Sequence, residues 1–167
     1  MYGRPYTVQF TAVSVTAVQD LFYLKPAADK PIAFWGFEVD NVGGTADAGD
    51  AQEELLRFEI IYLPATVTAG TGGAAVTPQV TLPNDTAASF TARCNDATTT
   101  ASTTGTASTK FAGGINVRIP GPDWLAPALP VPQPIIVANA AAMVVRLNTA
   151  PADAILLSGT AFVSELV

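Results

Sequence analysis

The side chains able to do chemistry are few in this chain, and their types exclude most reactions. Its 167 residues include no histidine, which removes the commonest general base and metal ligand. Ser-His-Asp and Cys-His catalysis go with it. The single cysteine, Cys94, rules out an intrachain disulfide and fits a reducing compartment during folding. In Phe90-Thr91-Ala92-Arg93-Cys94 it falls on the apolar side of an alternating segment, as a small buried hydrophobe does. The acidic group Asp40, Asp47, Asp50, Glu53 and Glu54 offers oxygen ligands of the calcium-binding kind. Its spacing matches no calcium loop, so a solvated acidic loop is the plainer reading, with weak metal binding at Asp40, Asp47 and Asp50 left open. Glycoside hydrolysis needs two facing carboxylates in a cleft, and candidates for an aromatic-lined sugar groove are scarce. Gly70-Thr71-Gly72-Gly73 lacks the Lys-Ser/Thr and the helix of a phosphate cradle. These residues predict no enzyme, no cofactor and no dedicated metal.

Charge narrows the partners. Eight basic residues against fourteen acidic ones give a net charge of −6 and a pI near 4.3. The basic residues are scattered, so no nucleic-acid surface is expected. Charged residues make up only 13% of the chain, about half the usual share for a soluble domain. That suits either a surface partly covered by partners or a compact domain with a Thr/Ser exterior. Met1-Tyr2-Gly3-Arg4-Pro5 leads into an alternating segment rather than an apolar run, which predicts no signal peptide. The most apolar stretch, 135–147, is too short to span a bilayer and carries Asn139 and Arg146, so no membrane association is expected.

The elements that would position these side chains are strands. The clearest is 54–62, where Leu56, Phe58, Ile60 and Tyr62 fall on one face and Arg57 and Glu59 on the other. In 6–15, Tyr6, Val8 and Phe10 share a face, then Val13 and Val15 take the opposite phase. That change predicts a bulge or a crossing between sheets. Further strands are expected at 19–24, at 31–40 with Ala33, Trp35, Phe37 and Val39 on one face, and at 88–95. Others are expected at 110–120, 135–137, 143–147 and 155–166. Pro31 opens its strand, where a missing N–H is tolerated. Asp50-Ala51-Gln52-Glu53 matches a capping box and predicts one helical turn. The Gly-, Pro- and Thr-rich stretch 65–86 reads as a functional loop or contact arm, with a short edge strand within 76–82.

One domain over 1–167 is expected, with an N-terminal arm (1–5), a flexible Thr-rich loop (97–109) and a Pro-rich arm (120–134). Evenly spaced short strands with little or no helix imply an all-β, antiparallel sandwich or barrel. About eight strands with long Gly/Pro/Thr-rich loops make a jelly-roll-type β-sandwich the first choice. An immunoglobulin-like sandwich is second, lacking the paired cysteines and central Trp.

Several short patterns occur together and in order. They begin with Tyr6-Thr7-Val8-Gln9-Phe10-Thr11-Ala12-Val13-Ser14-Val15 and Gln19-Asp20-Leu21-Phe22, followed by Asp29-Lys30-Pro31-Ile32 and Glu53-Glu54-Leu55-Leu56-Arg57-Phe58. Asn116-Val117-Arg118, Val144-Val145-Arg146-Leu147, Ala150-Pro151-Ala152-Asp153 and Ser158-Gly159-Thr160 complete the series. In that order they resemble a family of small structural proteins encoded among the head genes of tailed phages. The resemblance covers most of the chain, leaving out the Thr-rich loop. It implies a jelly-roll decoration, or cement, protein on the outer capsid surface of the virion. Such a protein clamps neighbouring major capsid protein subunits, commonly as a homotrimer.

On that reading the contact candidates are Tyr2, Arg4 and Tyr6 in the N-terminal region and Trp124 and Leu125 in the Pro-rich arm. Packing inside the subunit is the competing explanation for each. Two other functions stay open. A phage tail or receptor-binding module also uses β-sandwiches, though no repeat or stalk is present. A lectin-like carbohydrate-binding domain requires an exposed aromatic platform beside carboxylates.

Overall fold

A computed structural model describes residues 3–42, 54–116, 123–125 and 134–166. These residues hold fourteen strand segments and no helix. They are β1 (Arg4–Val15), β2 (Gln19–Lys25), β3 (Ile32–Asn41), β4 (Leu55–Leu63), β5 (Val67–Thr68), β6 (Ala74–Val76) and β7 (Gln79–Val80). They continue with β8 (Thr91–Asp96), β9 (Ser102–Thr103), β10 (Ser108–Asn116), β11 (Asp123–Leu125), β12 (Ile135–Val137), β13 (Ala142–Leu147) and β14 (Ile155–Glu165). The total exceeds the expected eight chiefly because the two- and three-residue segments β5, β6, β7, β9 and β11 add to the principal strands. The helical turn expected at 50–53 lies outside the described residues.

Two six-stranded antiparallel sheets carry the fold. The first runs β11-β3-β14-β1-β7, with β12 also paired to β3; the second runs β10-β4-β13-β2-β8-β6. Side chains from both enter one buried cluster: Tyr6, Val8 and Phe10 from the first sheet meet Phe22, Phe58 and Val145 from the second. The Phe10 and Phe22 rings touch across the gap, centroids 5.2 Å apart. Each such fully buried side chain contributes roughly 1.5–3 kcal/mol of transfer free energy.

Local sequence explains the strand geometry. β4 alternates as its spacing predicts, with Leu56, Phe58 and Ile60 buried, Tyr62 half-buried and Arg57 exposed. The phase change in β1 is a bulge: its register against β14 shifts between Phe10 and Val13, and Ala12 takes a φ of 49°. β3 departs from expectation. The register against β14 passes from Gly36 to Phe34 and skips Trp35, so the bulge falls there. Ile32 and Phe34 therefore join Phe37 and Val39 in the main core, while Trp35 is half-buried and donates Nε1–H to Ser164 Oγ at 2.8 Å. The simple alternation of Ala33, Trp35, Phe37 and Val39 is broken by that extra residue.

The stretch between β4 and β10 is tied down along much of its length. β8 extends the second sheet beside β2, β6 pairs with β8, and β7 pairs with β1 of the first sheet. β5 and β9 pair with each other, and Thr71 bridges Thr99. This ribbon caps a second apolar cluster on the far side of the second sheet, where Tyr23, Ile61, Leu63 and Val144 pack with Val67 and Ala101. The Thr-rich stretch 97–109, expected as a flexible loop, carries paired and buried residues. Ala101 is buried, β9 is paired, and β10 begins at Ser108. Its small side chains suit close packing over a sheet face.

Candidate contact surfaces and buried polar clusters

The first contact candidates lie where β1 begins. Arg4 Nε sits 3.3 Å from Asp85 Oδ1. Thr81 donates both its N–H and its hydroxyl to the carbonyl of Pro5, at 3.3 and 3.1 Å. Residues 77–87 carry one charge, Asp85, which Arg4 matches. Val80 and Leu82 are large apolar side chains left exposed there. The result is an exposed, nearly uncharged rim beside the edge of the first sheet. The edge strand expected within 76–82 is split: β6 ends at Val76 on the second sheet and β7 begins at Gln79 on the first.

Tyr6 does not belong to that rim. It is 1% exposed, packs edge-on against Phe90 at 5.6 Å and donates its hydroxyl to Thr86 O at 2.9 Å. Its place as an exposed contact is corrected by the strand's phase, which turns Tyr6, Val8 and Phe10 inward. Tyr2 lies outside the described residues. Burial raises the Tyr6 phenol above its ordinary value, helped by the nearby Glu165 and Asp85 carboxylates.

In the Pro-rich arm only 123–125 and 134 are described. Trp124 is half-buried and stacks on Phe34, rings 5° from parallel with centroids 5.9 Å apart. The Phe111 ring also packs against Trp124, tilted by 46° with centroids 6.2 Å apart. Trp124 therefore closes the end of the core, which is the packing alternative for this residue. Leu125 pairs with Gly36 through the backbone.

Three buried carboxylates were not singled out by sequence, and each is saturated by the fold's own donors. Glu165 accepts from the Ser89 hydroxyl at 2.6 Å and from the N–H groups of Ser89 and Phe90 at 2.5 and 3.0 Å. Asp96 accepts from the Arg93 guanidinium at 2.7–3.2 Å and from Gly73 N–H at 3.1 Å. Asp20 accepts from Arg146 Nε at 2.5 Å and from Ala101 N–H at 2.6 Å. The one available signal was their position: each is an acidic residue within a strand, where ionised groups are buried only when paired. Burial pushes the Asp20 carboxyl above its ordinary value, against the pull of Arg146 and the Ala101 N–H, and Asp96 across the strand pair adds to the rise.

Asp40 is exposed on β3, while Asp47 and Asp50 lie outside the described residues. Among the described residues no group of three or more Cys, Asp or Glu side chains is placed to hold a metal ion. Cys94 is buried, and desolvation pushes its thiol up to about 12, away from nucleophilic use. No described helix is long and apolar enough to cross a membrane. Comparison with protein-family models, curated proteins and solved structures found no match to this chain.

Proposed function

We propose that this chain is a non-catalytic jelly-roll protein that decorates the outside of a phage head and stabilises the major capsid protein lattice. The jelly-roll reading draws on strand order. β1, β2, β3 and β4 pass alternately between the two sheets, β10 stays beside β4, and β11 with β12, then β13, then β14 alternate again. Four principal positions fall in each sheet, β1-β14-β3-(β11, β12) and β2-β13-β4-β10, as two Greek keys folded together require. β5 to β9 are then an insertion between the fifth-position strand and its predecessor.

The structural role draws chiefly on how the polar residues are spent. Among the described residues, every buried carboxylate is consumed in holding loops to sheets, and the thiol is buried and protonated. What is offered outward includes the rim of Arg4, Val80 and Leu82, poor in charge and therefore modest in desolvation cost. A stable lattice contact needs on the order of 2,000 Å² of buried surface, which a homotrimer can gather from three copies of such a rim and its surroundings. A ligand that binds only the mature lattice stabilises it by RT ln(1 + [L]/Kd), about 4 kcal/mol per site at a thousandfold excess over Kd. Trivalency strengthens that clamp without new contacts.

The direct functional test is to add the purified chain to undecorated heads and heat them. The reading requires a higher DNA-release temperature than for bare heads; equal temperatures would remove it.

A further inference from the structure

The inter-sheet core is incomplete at one end. Between the bulge of β1 and the outer strands β6 and β8, a cleft of about 490 Å³ opens to solvent. Phe10 and Val13 line it from β1, and Ala74, Val76 and Cys94 line it from β6 and β8. Ala74 pairs with Cys94 and Val76 with Ala92, and both partners belong to the main core, so Ala74 and Val76 also face inward. No charged side chain lines the cleft. An apolar hollow of this size with a few polar groups is what small-molecule sites of roughly 300–1,000 Å³ offer.

One buried amide gives the cleft its polarity. Of the amide and hydroxyl side chains in the lining, only Gln19 is buried, 2% exposed, while Gln9 and Ser14 are exposed and Asn95 is half-buried. Gln19 donates Nε2–H to Asn95 Oδ1 at 2.9 Å, and its Oε1 has no partner among the described residues. With both amides reversed, Gln19 keeps a spare N–H instead. A buried amide atom without a partner marks a place where something else supplies the hydrogen bond. A hydroxyl both donates and accepts, so it completes Gln19 in either orientation. An ionised group would lose its hydration against this wall and meet no opposite charge.

We propose that this cleft is a binding site for a small, uncharged alcohol or phenol. Its apolar body lies among Phe10, Val13 and Val76, and its hydroxyl bonds the Gln19 amide. Removal of the apolar body from water supplies the larger share of the affinity. The Gln19 amide selects for the hydroxyl, and the uncharged lining selects against a carboxylate or an amine cation. This inference rests on the cleft alone and stands or falls separately from the capsid reading.

The test is an amide-resolved NMR titration of the full chain with three probes that share one ring: benzyl alcohol, toluene and benzoate. Benzyl alcohol should give saturable shifts at Val13, Val76 and the Gln19 side-chain amide, and benzoate should give none. Gln19→Met keeps the side chain's length and removes its amide. It should weaken benzyl alcohol about 5- to 10-fold, the loss of one neutral hydrogen bond, and leave toluene binding unchanged. Ala74→Leu fills the cleft from within and should abolish binding of both, whereas Ala75→Leu, on the opposite face, should leave it intact. Absent or non-saturable shifts, or shifts away from the cleft, would overturn the site. Benzyl alcohol binding unchanged in Gln19→Met, an equal loss for toluene, or benzoate binding as tight as benzyl alcohol would overturn the assigned chemistry.

Discussion

Arg146 on β13 and Asp20 on β2 form an ion pair on the side of the second sheet turned away from the main core, and both hold Ala101. Asp20 Oδ2 accepts from the Ala101 N–H at 2.6 Å, while Arg146 Nη2 donates to the Ala101 carbonyl at 3.0 Å. A single residue of the insertion is thus pinned by both of its backbone groups. The Arg93–Asp96 pair does similar work nearby, gripping Gly73 through its N–H and, at 3.4 Å, its carbonyl. These two clamps fasten a Thr-, Gly- and Ala-rich segment that has little apolar surface of its own.

Removing one partner of such a pair strands the other, so Asp20→Ala should cost about 3–5 kcal/mol in denaturant unfolding. Asp20→Asn keeps an acceptor for Ala101 and should cost clearly less. The pH dependence has a definite sign. Burial raises the Asp20 carboxyl above its ordinary 3.8, so the folded chain holds this proton after the unfolded chain has lost it. The Asp20 contribution is therefore fully present at acid pH and declines as pH rises through the folded value. Melting temperatures of wild type and Asp20→Asn, compared between pH 3 and 7, should show the variant's deficit largest at the acid end and shrinking as pH rises. A deficit that grows as pH rises would contradict the assignment.

Glu165 ties Ser89 and Phe90 to the end of β14. Glu165→Ala removes the acceptor for three donors at a site 2% exposed and should destabilise by about 3–5 kcal/mol. Tyr6→Phe loses the hydroxyl's bond to Thr86 and a long one, 3.5 Å, to Glu165 Oε2, and should cost about 1 kcal/mol. Equal losses from the two substitutions would show that the carboxylate is not the anchor.

How far these features were legible depended on whether the signal was local. The bulge in β1 was readable because apolar residues sit on both sides of the phase change, at Phe10 and Val13. The bulge at Trp35 was not, since Ile32 to Val39 is apolar almost throughout and fits two phases equally well. Tyr6 looked like part of an arm by its nearness to the terminus, while its own alternation with Val8 and Phe10 already pointed inward. The clamps on Ala101 and Gly73 left no pattern, because Asp20 and Arg146 lie far apart in sequence and meet only through the β2–β13 pairing. Low complexity over 97–109 gives no sign of the pairing of β9 with β5 or of the burial of Ala101, both of which depend on distant partners.

Cys94 gives an alkaline signature. Its thiol is pushed from an ordinary 9.0 to about 12, so between those values the unfolded chain ionises and the folded chain does not. Stability present below pH 9 is lost as pH rises through this window, by up to roughly 4 kcal/mol at three units. Cys94→Ala should flatten the loss that starts near pH 9, leaving the later one from the buried phenols of Tyr6 and Tyr23. Unfolding curves between pH 8 and 11 read this directly; an unchanged slope in Cys94→Ala would rule it out.

Gly159 on β14 is a packing requirement. A Cβ there would lie 2.8 Å from the Phe10 ring and 3.0 Å from the Phe22 ring, the aromatic contact that joins the two sheets. Gly159→Ala should cost about 1–3 kcal/mol through overpacking. Combining it with Phe10→Leu, which makes room, should recover part of that loss; strict additivity of the two would contradict the clash.

The capsid reading is tested most directly by cryo-electron microscopy of the native particle that carries this chain. The expected result is jelly-roll density on the outer head surface, seated over junctions between major capsid protein subunits. The rim of Arg4, Val80 and Leu82 is expected at or near the contact. Density at the tail tip, or a head surface with none, would contradict it.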